Sequence, residues 1–289
     1  MLVIEKQKLH PKTNRVFVFQ THVVNKYIRE RLEQLVDQVS GVCDVYVLLA
    51  YPNKISKNSL KLFLEGLDVG IATYNMFDLF EATYGFRQDN RRKAFYIIEH
   101  IPLVCFLELF PCYDFLWRCE YDVLYTGDWG NLVQHFSDTN SDFISTNIFN
   151  YYGSKPHWNH WWRSRSFEDF KDNPIQVKDM VRSHNGVCSI SKPFSKILRA
   201  NVLNFRAHYE VTLGTIANLF DLSIRDIGGL GSYTLACDKG KYYITDQDLP
   251  NSDNSAGTFN SHGNYFGQED YMSDFLYHPV KATTADYDY

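Results

Sequence analysis

The sequence predicts an α/β protein with a mostly parallel central sheet flanked by helices. Three observations carry this. Arg15–His22 is a β-branched and aromatic run that ends in polar groups, and Cys43–Pro52 is a second such run. The helical pattern between them makes a strand–helix–strand unit of about forty residues, the spacing of a parallel crossover. A third run, Phe115-Leu116-Trp117, turns acidic at Glu120 and Asp122 and is followed by Gly127 and Gly130 as breakers. A chain of 289 residues buries a substantial core, as one large domain or two tightly joined halves.

The elements follow in order. Asn25 caps a helix in which Val24, Ile28, Leu32, Leu35, Val36 and Val39 recur at helical spacing, and Gly41 stops it. Residues 53–67 read as a polar loop and a short helix, and Asp68–Tyr74 as a third strand. Asn90–Leu109 reads as a helix, kinked or divided at Pro102. Its first turn holds Arg91, Arg92 and Lys93, where the helix dipole disfavours cations. An anionic partner and three solvated charges explain that turn equally well. After the acidic strand, Asp128 or Thr126 caps a helix through Asn131–Phe136, and Asp142–Asn147 returns as a strand. Val181–Ser191 alternates as a short strand, and Pro193 opens a helix to Asn201. Phe205–Phe220 reads as a helix with His208 and Glu210 near its start, Leu222–Ile227 as a late strand and Gly228-Gly229 as a turn. Residues 245–264, rich in Asp, Asn, Ser and Gly, suit a mobile loop or lid. Asp246 and Asp248 resemble the start of a calcium loop, but the Gly and the closing Glu are missing at the required offsets. Asp270–Tyr277 is a last element before an acidic, aromatic tail.

Composition narrows the function classes. A net charge of −5 with scattered basic residues argues against general nucleic-acid binding, which needs a basic face. The six cysteines form no C-x-x-C pair and mostly lie in apolar runs, so they read as free thiols in a reducing compartment. No apolar stretch approaches the roughly 20 residues of a membrane span, and Met1–His10 is too short and too charged for a signal peptide. The expectation is a cytoplasmic protein without a transmembrane segment, compatible with peripheral membrane association. No P-loop and no G-x-G-x-x-G is present, which removes the sequence support for phosphoryl transfer and dinucleotide redox chemistry.

The acidic strand end carries the most chemistry. Side chains two apart on a strand share a face, so Glu120 and Asp122 converge. In open α/β sheets ligands lie beyond the carboxyl ends of the strands. Two carboxylates there suit a hard divalent cation that also carries a diphosphate. The plainer alternative is a solvated strand end or an ion pair with Arg118.

Taken in order, Arg15–His22, the Glu120-Tyr121-Asp122 motif before Thr126-Gly127-Asp128, the Asn185-Gly186 segment, the helix with Glu210 and the late His278-Pro279-Val280-Lys281 resemble a GT-A-fold glycosyltransferase that uses a nucleotide-diphospho-sugar. The resemblance spans nearly the whole chain, with Glu-x-Asp where such enzymes usually carry Asp-x-Asp. It implies one GT-A-like domain over residues 1–281, with a nucleotide-sugar half (1–125), an acceptor half (126–281) and a tail (282–289). It implies Mn²⁺ or Mg²⁺ held by Asp122, with Glu120 nearer the ribose or the metal's water shell and His278 completing the site. Lys281 and Lys93 would lie near phosphate, Thr21 and His22 against the nucleotide, and Tyr51 on the base. Glu210 is the implied base of an inverting reaction, with Asp128 and His208 behind it. The partners implied are a nucleotide-diphospho-sugar donor and a glycan or glycolipid acceptor, in surface polysaccharide synthesis. The three Trp residues of His157–Trp162 suit a sugar subsite, although packing onto the core is the commoner role.

Two other readings stand beside it. Sugar-nucleotide pyrophosphorylases share the fold but open with a Gly-rich loop where this chain has Gln20-Thr21-His22. A glycan-binding or scaffolding protein could keep the fold without turnover.

Overall fold

The computed structural model describes residues 2–6, 12–50, 55–85, 99–150, 177–201, 208–244 and 271–280. The basic turn at 91–93, the Trp cluster at 157–162, the polar stretch at 245–264, and Tyr51, Lys93 and Lys281 lie outside them.

An eight-stranded sheet carries helices on both faces. Its strands are β1 (Val3–Lys6), β2 (Arg15–Thr21), β3 (Asp44–Ala50), β4 (Gly70–Tyr74), β5 (Phe115–Glu120), β7 (Phe143–Asn150), β8 (Val181–Ser191) and β9 (Ile224–Asp226). They lie in the order β1-β4-β3-β2-β5-β8-β7-β9. A separate ribbon pairs β6 (Leu124–Tyr125) with β10 (Leu276–Tyr277). The α/β class expected from the sequence is therefore present. Its pairings are mostly parallel, as expected, four of seven, with β7–β9 among them. β4, β3, β2 and β5 run parallel, whereas β1, and β8 against both β5 and β7, pair antiparallel.

Alternation along β2 builds two cores. Val16 and Val18 join one apolar cluster with helices α3 (Met76–Tyr84), α4 (Ile101–Leu109), α6 (Lys192–Asn201) and α7 (Tyr209–Leu219). Phe17 and Phe19 join the other, with α1 (Lys26–Val39), α2 (Lys57–Leu64) and α5 (Trp129–Ser137). Strands buried on both faces read as continuous apolar runs, which is why β2, β3 and β5 were visible in the sequence.

Local signals explain the helix ends. Asn25 caps α1 by accepting the Ile28 N–H at 2.9 Å, and Gly41 follows at φ 90°. Pro102 sits in the first turn of α4, where its missing N–H costs nothing. It thus stands at the start of α4, and residues 90–98 of the longer helix expected from the sequence lie outside the described residues. The sequence reading missed β1 and α3. The latter begins directly after β4, with Asn75 as its cap.

Gly127 and Gly130 do not end the acidic strand. β5 stops at Glu120 in a turn closed by the Val123 N–H bonding the Glu120 carbonyl at 3.1 Å. Gly130 lies inside α5, where a Cβ would meet the Gln38 carbonyl oxygen at 2.3 Å. Its lack of a side chain lets α5 approach α1.

Candidate functional site

β2 is flanked by β3 on one side and by β5 on the other. The chain runs outward from β2 through β3 to β4, then returns to start β5, so the strand order reverses between β2 and β5. The carboxyl ends of these two parallel strands are a crevice of the kind where α/β sheets bind ligands. Gln20 and Glu120 stand side by side there in register.

Arg118 organises the floor of the crevice. It lies two residues before Glu120 and is 1% exposed. Its guanidinium donates to Glu120 at 2.7 Å, to Glu99 at 2.9 Å, to the Asn185 carbonyl at 2.8 Å and to the Gln20 side-chain oxygen. Gln20 in turn donates its amide to Glu99 and to the Tyr74 hydroxyl, both at 2.8 Å. The ion pair with Arg118 weighed in the sequence reading therefore exists. Burial pushes the Glu99 carboxyl up to about 7, against the opposing pull of Arg118. For Glu120, burial would raise the carboxyl, but Arg118 and His278 together hold it below the usual range.

Asp122 reaches the same place by a different route. It lies past the strand end, within the turn, so strand alternation does not align it with Glu120. Several contacts hold the turn. Arg31 of α1 donates to the carbonyls of Tyr121 (2.8 Å) and Val123 (3.4 Å) and to that of Val280 (3.4 Å). The Val280 N–H donates to the Asp122 carbonyl at 2.8 Å. The β6–β10 ribbon pairs Leu124 with Tyr277 and Tyr125 with Leu276. Thr126 extends it by donating from its hydroxyl to the Met272 carbonyl at 2.6 Å and from its N–H to the Phe275 carbonyl at 3.0 Å.

The ribbon delivers His278 to the acidic turn. Its Nε2 lies 3.4 Å from Glu120 Oε2 and 3.5 Å from Asp122 Oδ1. Among the described residues, one ligand atom from each of Glu120, Asp122 and His278 falls within 4.8 Å of the others. Two carboxylate oxygens and one imidazole suit Mn²⁺, and Mg²⁺ less well because of the nitrogen. Burial alone would push the His278 imidazole down, yet Asp122 and Glu120 outweigh it and raise the group to about 10. The two carboxylates thus already hold a positive charge between them.

Glu210 heads a second group. It is the second residue of α7, after the cap His208 and Tyr209, and is 4% exposed. Its carboxylate lies 3.7 Å from His184 Nε2 and 3.7 Å from His208 Nδ1. Burial pushes it up to about 8, opposed chiefly by Arg182, while burial lowers Arg182 itself to about 10. The His184 imidazole is held well below its ordinary value by burial and by His278, so it is neutral at physiological pH. The His184 and His278 rings are 4.6 Å apart and join the two groups.

The remaining sequence candidates are placed as follows. Thr21 is buried and forms a tight turn, donating to the Val23 carbonyl at 2.6 Å and accepting the Val23 N–H at 3.0 Å. His22 is exposed and stands edge-on to Tyr121 at 4.8 Å. Asp128 is the N-cap of α5 and accepts the Asn131 N–H at 2.7 Å. Glu99, His184 and Arg182 were missed. The available signal was the presence of charged or polar residues inside otherwise apolar runs, such as Ser183-His184-Asn185 within the buried β8.

Residues 69–143 match a family described as "Protein of unknown function (DUF3405)". That span contains Glu99, Arg118, Glu120 and Asp122 but not His184, Glu210 or His278. No curated protein matches the chain. Among solved structures, mouse xyloside xylosyltransferase 1 in its apo form is similar at a TM-score of 0.42 and 11% identity, over 74% of this chain and 84% of that one. A 4-diphosphocytidyl-2C-methyl-D-erythritol synthase from Anaerococcus prevotii is similar at 0.42 and 9% identity, over 74% and 88%. Among the described residues, no helix is long and apolar enough to cross a membrane.

Proposed function

We propose that this chain is a divalent-cation-dependent glycosyltransferase that moves a sugar from a nucleotide-diphospho-sugar to a hydroxyl of a glycan or glycolipid. One observation carries the reading: two carboxylates and an imidazole meet at the carboxyl ends of parallel strands, where the strand order reverses. Asp122, Glu120 and His278 would hold Mn²⁺ or Mg²⁺. When bound, such an ion neutralises the charge that develops on a departing diphosphate.

The chain's own residues supply the rest. Arg118 fixes Glu120 from below, and Asp122 is presented by its turn. Thr21, His22, Tyr51, Lys93 and Lys281 are assigned to the donor side, in the half formed by residues 1–125 and the late segment. Glu210 is assigned as the base that takes the acceptor proton in an inverting reaction, with Asp128 as second candidate. Its raised pKa supports this, because a carboxylate titrating near neutrality is the stronger base. The protein is assigned to the cytoplasm and to surface polysaccharide synthesis.

The rival reading, a glycan-binding protein without turnover, also has an observation in its favour. Glu120 is engaged by Arg118, and Glu210 is almost closed to solvent. Calorimetry against UDP, GDP, CDP and dTDP, each with and without Mn²⁺, separates the two. Metal-dependent binding of one nucleotide, absent from Asp122→Ala, is the expected result. Glycan binding with no nucleotide affinity in either condition would establish the rival.

A further inference from the structure

The three candidate ligands come from two distant segments, and among the described residues the regular pairing between those segments is only the two-residue ribbon of β6 and β10. So short a ribbon is marginal by itself. Arg31, which bonds carbonyls of both segments, is 7% exposed and lies on α1, an element that contributes no ligand.

We propose that Arg31 is a positioning residue that assembles the cation site by tying the acidic turn to the segment carrying His278. The inference rests on the cation reading above. Its geometric basis is that one planar fork reaches three carbonyls. Those of Tyr121 and Val123 bracket Asp122, and that of Val280 lies two residues past His278. The Val280 N–H closes the same loop on the Asp122 carbonyl. Each ligand-bearing backbone is therefore fixed through its own peptide groups, independently of any ion. A lysine at this position carries a compact charge in place of a fork and cannot span the three acceptors in the same way. The Leu32 and Leu35 side chains beside Arg31 on α1 are buried in the core, so the helix itself is a rigid base for the tie.

The test uses Mn²⁺ alone, titrated by calorimetry into the full chain without donor. Arg31→Lys should fold and bind Mn²⁺ roughly 10- to 100-fold more weakly, the usual cost of losing an outer partner of a metal site. In a His278→Ala background the same substitution should change affinity by less than about threefold, because the tied segment then supplies no ligand. Unchanged affinity in Arg31→Lys overturns the proposal. An equal loss in both backgrounds also overturns it, since that is what general softening of the fold produces. If Arg31→Lys does not fold, Arg31→Gln replaces it under the same criteria. Amide exchange gives a metal-free readout: the Val280 N–H should exchange faster in the variant, and unchanged exchange overturns the tie. A wild-type chain that takes up neither Mn²⁺ nor Mg²⁺ while this exchange difference holds overturns the cation reading and leaves the tie standing.

Discussion

The group around Asp122 and the group around Glu210 touch through His184 and His278, yet they are built on opposite plans. Glu120, Asp122 and His278 keep side-chain exposures of 19%, 11% and 12%. Asp122 and His278 are presented by a turn and by a late segment, which backbone hydrogen bonds hold. Glu210, His184 and Arg182 lie on a helix start and an inner strand and are closed to water, and burial holds the Glu210 carboxyl up and the His184 imidazole down. The first plan leaves carboxylates that can take up a cation from solution. The second makes a preset reservoir for a proton. Removing a member of the first group should therefore alter binding, whereas removing a member of the second should alter stability and its dependence on pH.

The largest expected effect tests the first plan. Asp122→Ala should abolish metal-dependent nucleotide binding while the chain keeps a cooperative unfolding transition. Wild-type-like binding would show that the turn is not the cation site.

Arg118→Met comes next and probes the floor under both groups. It leaves Glu99 and Glu120 without the guanidinium that neutralises them, at side-chain exposures of 1% and 19%. Removing one partner of a buried ion pair costs about 3–5 kcal/mol, measurable as a lower urea midpoint. A loss below about 1 kcal/mol would mean that Glu99 simply takes up a proton when Arg118 is gone.

Glu210→Gln sharpens the contrast. If Glu210 is the base, kcat should fall by a factor on the order of 10² with donor affinity nearly unchanged. The wild-type folded state keeps a proton on Glu210 up to about pH 8, whereas the unfolded chain releases it near 4.5. This contribution is complete below pH 4.5, declines as pH rises through that window and is gone above about 8. The Gln variant should lack this decline, and urea titrations at several pH values would reveal it. An identical pH profile would place the proton elsewhere.

Gly186→Ala should have the smallest effect. An added Cβ would meet His184 Cε1 at 3.2 Å, Val123 Cγ2 at 3.4 Å and His278 Cδ2 at 3.5 Å, at the junction of the two groups. A shift of a few tenths of an ångström should weaken Mn²⁺ uptake by a few-fold with little change in melting. A full loss of uptake would mean that the two groups move as one unit.

Much of the fold was legible because buried strands announce themselves. Phe17, Phe19, Val45, Val47, Leu116 and Trp117 sit in unbroken apolar runs, and Asn25 and Asp128 cap helices by local chemistry. Short or edge elements were hidden. β1 has four residues with Val3 exposed, and β10 has two. The carboxylate pair at Glu120 and Asp122 was readable, but for a partly wrong reason. Strand alternation puts Arg118 beside Glu120, whereas Asp122 arrives by a turn. The approach of His278 left no local trace, since pairing across 149 residues imposes no periodicity on either segment. Glu99, His184 and Arg182 stood out only as charged or polar residues in apolar runs, and such a residue does not reveal which other residue neutralises it.

The β6–β10 ribbon also sets a sequence of events. Thr126 finds Phe275 only after 149 further residues have been made. At about 5–20 residues per second, a ribosome needs roughly 7 to 30 s for that stretch. During this interval α1 and strands β2 to β5 have been synthesised, with their acidic turn still lacking its histidine. A nascent chain would thus carry much of its scaffold before His278 could join Glu120 and Asp122, with translation itself as the timer.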